Sequence, residues 1–140
     1  EALFGALRKV QDTNVICATA ISQYAALGAL QAGPGYCRPY LADMAIVRRQ
    51  GIEAMKSLEG RVSLLPSTGA FYLFVRIPGY EGNDLDLARN LIERFGVAVI
   101  PGSAFGVNDV CAFRASFGAL QSDSAIEGLD RLVTGLKHLI

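Results

Sequence analysis

The sequence predicts an α/β chain: an α+β sandwich in which helices cover one side of a small, mostly antiparallel or mixed sheet, with connector helices before it. Three observations carry this. Helical periodicity fills the chain up to about Leu58. Short β-branched and aromatic runs then alternate with helical ones in the order β-β-α-β-β-α. The composition, 51% hydrophobic and 19% charged over 140 residues, suits one packed domain that needs no disulfide or metal.

Each element follows from local pattern. Ala2 to Gln11 reads as a helix with Leu3, Phe4, Leu7 and Val10 on one face, and as the tail of something longer. Ala20 to Gln31 is a second helix, ended by Gly33-Pro34. The stretch from Asn14 to Cys37 carries no charge and is long enough to span a bilayer. Its Ala, Gly, Thr, Ser and Gln content and the Gly33-Pro34-Gly35 break point instead to a buried helix of small residues packed closely on another surface. A third helix runs from Pro39 to Leu58, with an apolar stripe of Tyr40, Met44, Val47 and Met55 and an Arg49–Glu53 pair.

Val62 to Leu65 and Phe71 to Ile77 are strands, separated by turn chemistry at Pro66 to Gly69. Asp84 to Phe95 is a helix, with Asp84 as N-cap and Gly96 closing it. Val97 to Ile100 is wholly apolar, which predicts burial on both faces. A loop from Pro101 to Asp109 leads to a strand at Ala112 to Phe117. Ser122 or Ser124 caps the last helix, with Ser124 and Glu127 as a capping box. Residues 1–33 fit the sandwich least and read as connector helices to a part that is absent.

The bulk numbers exclude some functions. Thirteen basic residues balance thirteen acidic ones, leaving no electrostatic footprint for nucleic acid or an anionic membrane. Cys17, Cys37 and Cys111 are odd in number without CxxC spacing, and His138 is the one histidine, which argues against a zinc site and for reduced thiols in the cytoplasm. Arg8 and Lys9 follow an acidic start rather than precede an apolar stretch, unlike a secretory signal; the start at Glu1 reads as a fragment or processed product.

Few residues are candidates for chemistry. On the strand from Ala112 to Phe117, alternation puts Phe113, Ala115 and Phe117 under the helices, and Ala112, Arg114 and Ser116 on the other face. Small neighbours leave space beside the Arg114 guanidinium, which could grip a carboxylate through two parallel hydrogen bonds. The pattern alone fits better an exposed arginine on the wet side of a half-buried strand. Pro101 to Gly106 is glycine-rich, but no Lys-Ser/Thr follows, so an ordinary turn with Ser103 bonded to its own backbone is the simpler reading. Phe71 enters its strand where an aromatic can wall a pocket or pack in the core. His138 suits the helix dipole at the end of the last helix. Lys9, Lys56 and Lys137 all sit on solvated helix faces, away from the apolar setting that lowers a lysine pKa. No Ser/His/Asp set and no carboxylate pair stands out, so no catalytic residue is assigned.

Six segments in order resemble a known family: Ala6 to Gln11, Cys17 to Leu27, Arg48-Arg49, Pro66-x-x-Gly-Ala-Phe-Tyr72, Gly96 to Gly106, and Arg114-Ala-Ser-Phe117. Together they resemble the C-terminal part of class I/II aminotransferases, the fold-type I enzymes of pyridoxal 5'-phosphate (PLP), aspartate-aminotransferase-like. The resemblance covers essentially the whole chain. It implies that residues 1–140 are the small domain, with 1–33 leading to an absent PLP-binding large domain. It implies that Arg114 binds the substrate α-carboxylate, that Phe71 lies near the substrate and that the Pro101 to Gly106 loop borders the entrance. The segment from Cys17 to Gln23 matches one that nears the cofactor at the family's dimer interface, but Ala18 stands where the family often has proline, so no contact is carried to Thr19 or Ser22.

The family's Schiff-base lysine, its partner for the pyridinium nitrogen and most phosphate ligands lie upstream of the Ala6 to Gln11 match. The chain alone is therefore expected neither to hold PLP nor to transaminate. The intact protein is expected to be a cytoplasmic homodimer that moves an amino group between an amino acid and a 2-oxo acid. The alternative is a stand-alone carboxylate-binding or regulatory module without catalysis.

Overall fold

The computed structural model describes residues 2–14, 16–58, 60–118 and 121–140. It divides into two compact units, Glu1–Pro39 and Tyr40–Ile140.

The first unit holds α1 (Ala2–Asn14) and α2 (Ala20–Ala32), followed by a 3-10 turn at Pro34–Tyr36. Thr19 caps α2: its side chain accepts the Ser22 N–H at 3.4 Å, and the Gln23 amide donates to the Ala18 carbonyl at 2.7 Å. Gly33, at φ 71°, turns the chain out of the helix, a conformation that costs glycine nothing. Neither helix contains a buried residue; Phe4 is 67% exposed and Leu30 80%. The small-residue helix is thus formed as expected, but its close packing on another surface is not present in this chain. Among the described residues no helix is long and apolar enough to cross a membrane.

The second unit is built from α3 (Arg38–Lys56, entering it at Tyr40), β1 (Ser63–Leu64), β2 (Tyr72–Ile77), α4 (Asp84–Phe95), β3 (Ile100–Pro101), β4 (Cys111–Ser116) and α5 (Ser122–Leu139). The strands form one sheet in the order β1-β2-β4-β3, with every pair antiparallel. Alternation along β2 and β4 makes the sheet two-faced. Leu73, Val75, Ile77, Phe113 and Ala115 join Val47, Met55, Leu87, Leu91, Leu129, Leu132 and Leu136 from the helices in one buried core. Two glycines set how closely the helices approach. A Cβ on Gly51 of α3 would stand 3.1 Å from Leu73 and 3.2 Å from Leu129. One on Gly135 of α5 would stand 2.7 Å from Leu91 of α4.

Several local expectations are corrected. Val97 to Ile100 is not buried on both faces: β3 is a two-residue edge strand, Val99 is buried and Ile100 is 39% exposed. An edge strand meets only one neighbour, so an apolar run there leaves a face to solvent. The N-cap of α4 is Asn83, whose side-chain oxygen accepts the Asp86 N–H at 2.7 Å; Asp84 is inside the helix and its carboxylate turns elsewhere. The α5 cap falls on Gln121 without a side-chain hydrogen bond, and Glu127 pairs one turn onward with Arg131 instead of closing a box with Ser124. On α3, Glu53 pairs with Lys56 at 2.8 Å rather than with Arg49.

Candidate functional site

The uncovered face of the sheet carries Tyr72, Phe74 and Arg76 from β2 opposite Ser116, Arg114 and Ala112 from β4. Arg114 sits at the middle of this face and is partly buried. Its guanidinium carbon lies 5.3 Å from the Tyr72 ring centre and 4.9 Å from that of Phe105. Phe105 is itself edge-on to Phe74 at 6.1 Å. The cation is therefore held between aromatic faces whose quadrupoles attract it.

The space expected beside Arg114 is only half there. Ala112 is fully buried because the 3-10 turn Gly102–Phe105 lies on it. A Cβ on Gly102 would stand 2.7 Å from the Ala112 Cβ and 3.1 Å from its carbonyl oxygen. Glycine is what lets the turn sit this low and bring Phe105 over the arginine. Gly102→Ala should lift the turn at a cost of about 1–3 kcal/mol from overpacking. Thermal melting checks this; a melting temperature equal to wild type would mean that the turn yields freely.

Arg114 makes no hydrogen bond or ion pair among the described residues, and its Nε is buried without a partner. The two Nη amino groups are left to meet a ligand, in the fork that matches a carboxylate. A half-buried guanidinium without a counter-charge is costly unless an anion or water answers it. Arg76 has a second buried, unpartnered Nε, opposite Ala112.

Phe71 stands just before β2, 55% exposed, with its ring edge-on to Tyr72 at 6.0 Å. It is well fixed. Its carbonyl accepts the Phe117 N–H at 2.9 Å, and Gly118 lies so close that a Cβ there would be 2.5 Å from the Phe71 Cβ. Ala70 before it has φ 62°, a left-handed conformation that L-residues with a Cβ adopt at a cost of about 1–2 kcal/mol. The preceding turn is tied down by Arg48, whose Nη1 donates to the Ser67 carbonyl at 3.0 Å.

The Pro101 to Gly106 loop does not bond Ser103 to its own backbone. The Ser103 N–H and hydroxyl donate to the two Asp84 carboxylate oxygens at 2.6 and 3.1 Å. Gly106, at φ 79°, closes the turn.

The remaining candidates stand apart from Arg114. Thr19 and Ser22 are hydroxyl partners 3.0 Å apart at the start of α2. His138 Nδ1 lies 2.8 Å from the Thr134 carbonyl on an exposed part of α5. Lys9, Lys56 and Lys137 are exposed, and the Glu53 carboxylate bonded to Lys56 raises that amine's pKa, which favours the charged form. Among the described residues no group of three or more His, Cys, Asp or Glu could hold a metal ion.

Cys111 is buried, and burial, with the nearby Asp84 charge, pushes its thiol up to about 11. Cys17 and Cys37 are exposed. Iodoacetamide at pH 8 should therefore modify two thiols quickly and the third only on unfolding; three equal rates would contradict the burial. The raised pKa also has a sign. The folded state keeps the Cys111 proton after the unfolded chain has begun to lose it near pH 9. This contribution to stability is complete below that pH and disappears as pH rises through about 11.

Sequence reasoning missed Tyr72, Phe74, Phe105 and Asp84. Tyr72 and Phe74 share a face by strand alternation, and pairing β2 with β4 antiparallel would have placed them around Arg114. No local signal marks Phe105 or Asp84, which arrive through the fold.

The geometry can be set beside known proteins. The family model for aminotransferase class I and II matches residues 1–132. The chain belongs to the class I and II aminotransferases. It is 35% identical over 134 residues to the aromatic aminotransferase ISS1 of Arabidopsis thaliana, covering 96% of this chain and 33% of that protein. It is 36% identical over 129 residues to a probable N-acetyl-LL-diaminopimelate aminotransferase of Bacillus subtilis, covering 89% of this chain and 31% of the relative. Among solved structures, an aminotransferase from Mycobacterium tuberculosis superposes with a TM-score of 0.74 at 26% identity, over 92% of this chain and 33% of that one. An archaeal alanine:glyoxylate aminotransferase gives 0.74 at 25% identity, over 100% of this chain and 35% of that one. The chain thus spans about a third of the length of the aminotransferases it matches.

Proposed function

We propose that this chain is the C-terminal small domain of a PLP-dependent aminotransferase, and that Arg114 anchors the substrate α-carboxylate. The observation that carries the reading is a half-buried guanidinium, held between Tyr72 and Phe105, with no anionic partner of its own. Membership of the aminotransferase family supports the reaction: an amino group moves between an amino acid and a 2-oxo acid.

The described residues do not fit the cofactor itself. An imine-forming lysine needs a desolvated setting, and all three lysines here are exposed. We assign the cofactor's lysine and phosphate ligands to a large domain outside this chain, with residues 1–33 as the connector, and expect the chain alone to be inactive. PLP in the intact enzyme would serve as the electron sink for cleavage at the substrate Cα. This chain's part is to bind and orient. Arg114 grips the carboxylate and so fixes which Cα bond is presented. Phe71 walls the substrate side and the Pro101 to Gly106 loop borders the entrance. The exposed apolar faces of α1 and α2 fit a homodimer with an added domain, and three free cysteines fit a reducing cytoplasm.

The test is amino-group transfer by the full-length protein with added PLP, a panel of amino acids and a 2-oxo acid acceptor. Stoichiometric formation of a new 2-oxo acid and a new amino acid is expected. Absence of transfer from every donor would overturn the reading.

A further inference from the structure

We infer that Asp84 is a positioning residue for the Arg114 site, an inference that rests on the carboxylate-anchoring reading above. The sequence offers Asp84 as a helix cap, but Asn83 does that work. The Asp84 carboxylate reaches across to another element. It accepts both the N–H and the hydroxyl of Ser103, one on each oxygen, at 2.6 and 3.1 Å. Hydrogen bonds to a charged acceptor are about twice as strong as neutral ones.

What this latch holds is the short turn that carries Phe105. Tyr72, the other ring against the guanidinium, is fixed by the β2–β4 ladder. Phe105 belongs to no strand and is only as well placed as its four-residue 3-10 turn. Two contacts pin that turn: Gly102 rests on Ala112, and Ser103 is tied to Asp84. Phe105 in turn lies 4.9 Å from the Arg114 guanidinium carbon. Asp84 thus acts on Arg114 through Ser103 and Phe105. It keeps the guanidinium in one plane before substrate arrives, so less side-chain freedom is lost on binding.

The experiment is a double-mutant cycle in the full-length protein, with KM and kcat for the amino donor and the melting temperature measured for each variant. Asp84→Ala is expected to raise KM about five-fold, the scale of one displaced cation–π contact, with kcat nearly unchanged. Asp84→Asn retains an acceptor for the Ser103 N–H and should fall between. In an Arg114→Lys background Asp84→Ala should add nothing, because its effect passes through the arginine. The same KM factor in both backgrounds, or no change in the Arg114 background for Asn and Ala alike, would overturn the inference and leave the Arg114 reading standing. A kinetically silent Arg114→Lys would remove both.

Discussion

Replacing Arg114 with lysine should lower kcat/KM of the intact enzyme for its amino donor by about 100-fold, with most of the loss in KM. Lysine keeps the charge but not the planar fork, so two parallel hydrogen bonds to the carboxylate become one point contact. Each charge-assisted bond is worth about 1.5–3 kcal/mol, which sets the scale. The ammonium also loses the sandwich between Tyr72 and Phe105, which the flat guanidinium fills. Stability should hardly change, since Arg114 makes no hydrogen bond or ion pair within the described residues. Steady-state kinetics and a thermal melt on the same sample separate the two effects. A large loss of both would mean that Arg114 supports the fold rather than the substrate.

The reverse side of the same strand should behave oppositely. Phe113 is fully buried in the core, one residue from Arg114 and on the other face of the sheet. Phe113→Ala is expected to cost about 3–5 kcal/mol, the lost transfer energy plus the cavity it leaves. That corresponds to a fall of roughly 10 °C or more in melting temperature. Ser116, exposed and near the end of the strand, makes only a long 3.4 Å bond to the Phe71 carbonyl, so Ser116→Ala should change stability by less than about 0.5 kcal/mol. Differential scanning calorimetry distinguishes these cases. Comparable melting temperatures for the two variants would contradict a sheet with one buried and one open face.

The contrast explains what was legible in the sequence. Alternation along Ala112 to Phe117 is a local rule, and it placed Phe113 and Arg114 on their correct sides. The β-β-α-β-β-α order was readable for the same reason, as each element carries its own period. Sheet position is not local. Nothing within Val97 to Ile100 says that β3 lies at an edge, so its apolar run looked like a buried strand while Ile100 is in fact exposed. Capping was read at the right turns but one or more residues off, because neighbouring polar residues compete. Asn83 took the cap of α4 and freed Asp84 for Ser103.

The site shows the same division. Arg114 stood out by its strand and small neighbours, but the reason it is confined came from elsewhere. Ala112 looked like open space until the Gly102 turn was seen to cover it. Phe105 lies nine residues from Arg114 along the chain and reaches it only because the turn folds back onto the sheet. The function of Arg114 was suggested by six segments in order, not by its own surroundings. The surroundings supply a separate physical argument: a cation prepared for an anion that this chain does not provide.

The most direct test of that argument is a crystal structure of the full-length protein with an unreactive carboxylate analogue of its amino acid substrate. The expected result is a carboxylate accepting two hydrogen bonds from the Arg114 Nη groups at about 2.7–2.9 Å, with Tyr72 and Phe105 still flanking the guanidinium. A carboxylate bound by another residue, with Arg114 left to solvent, would contradict the account.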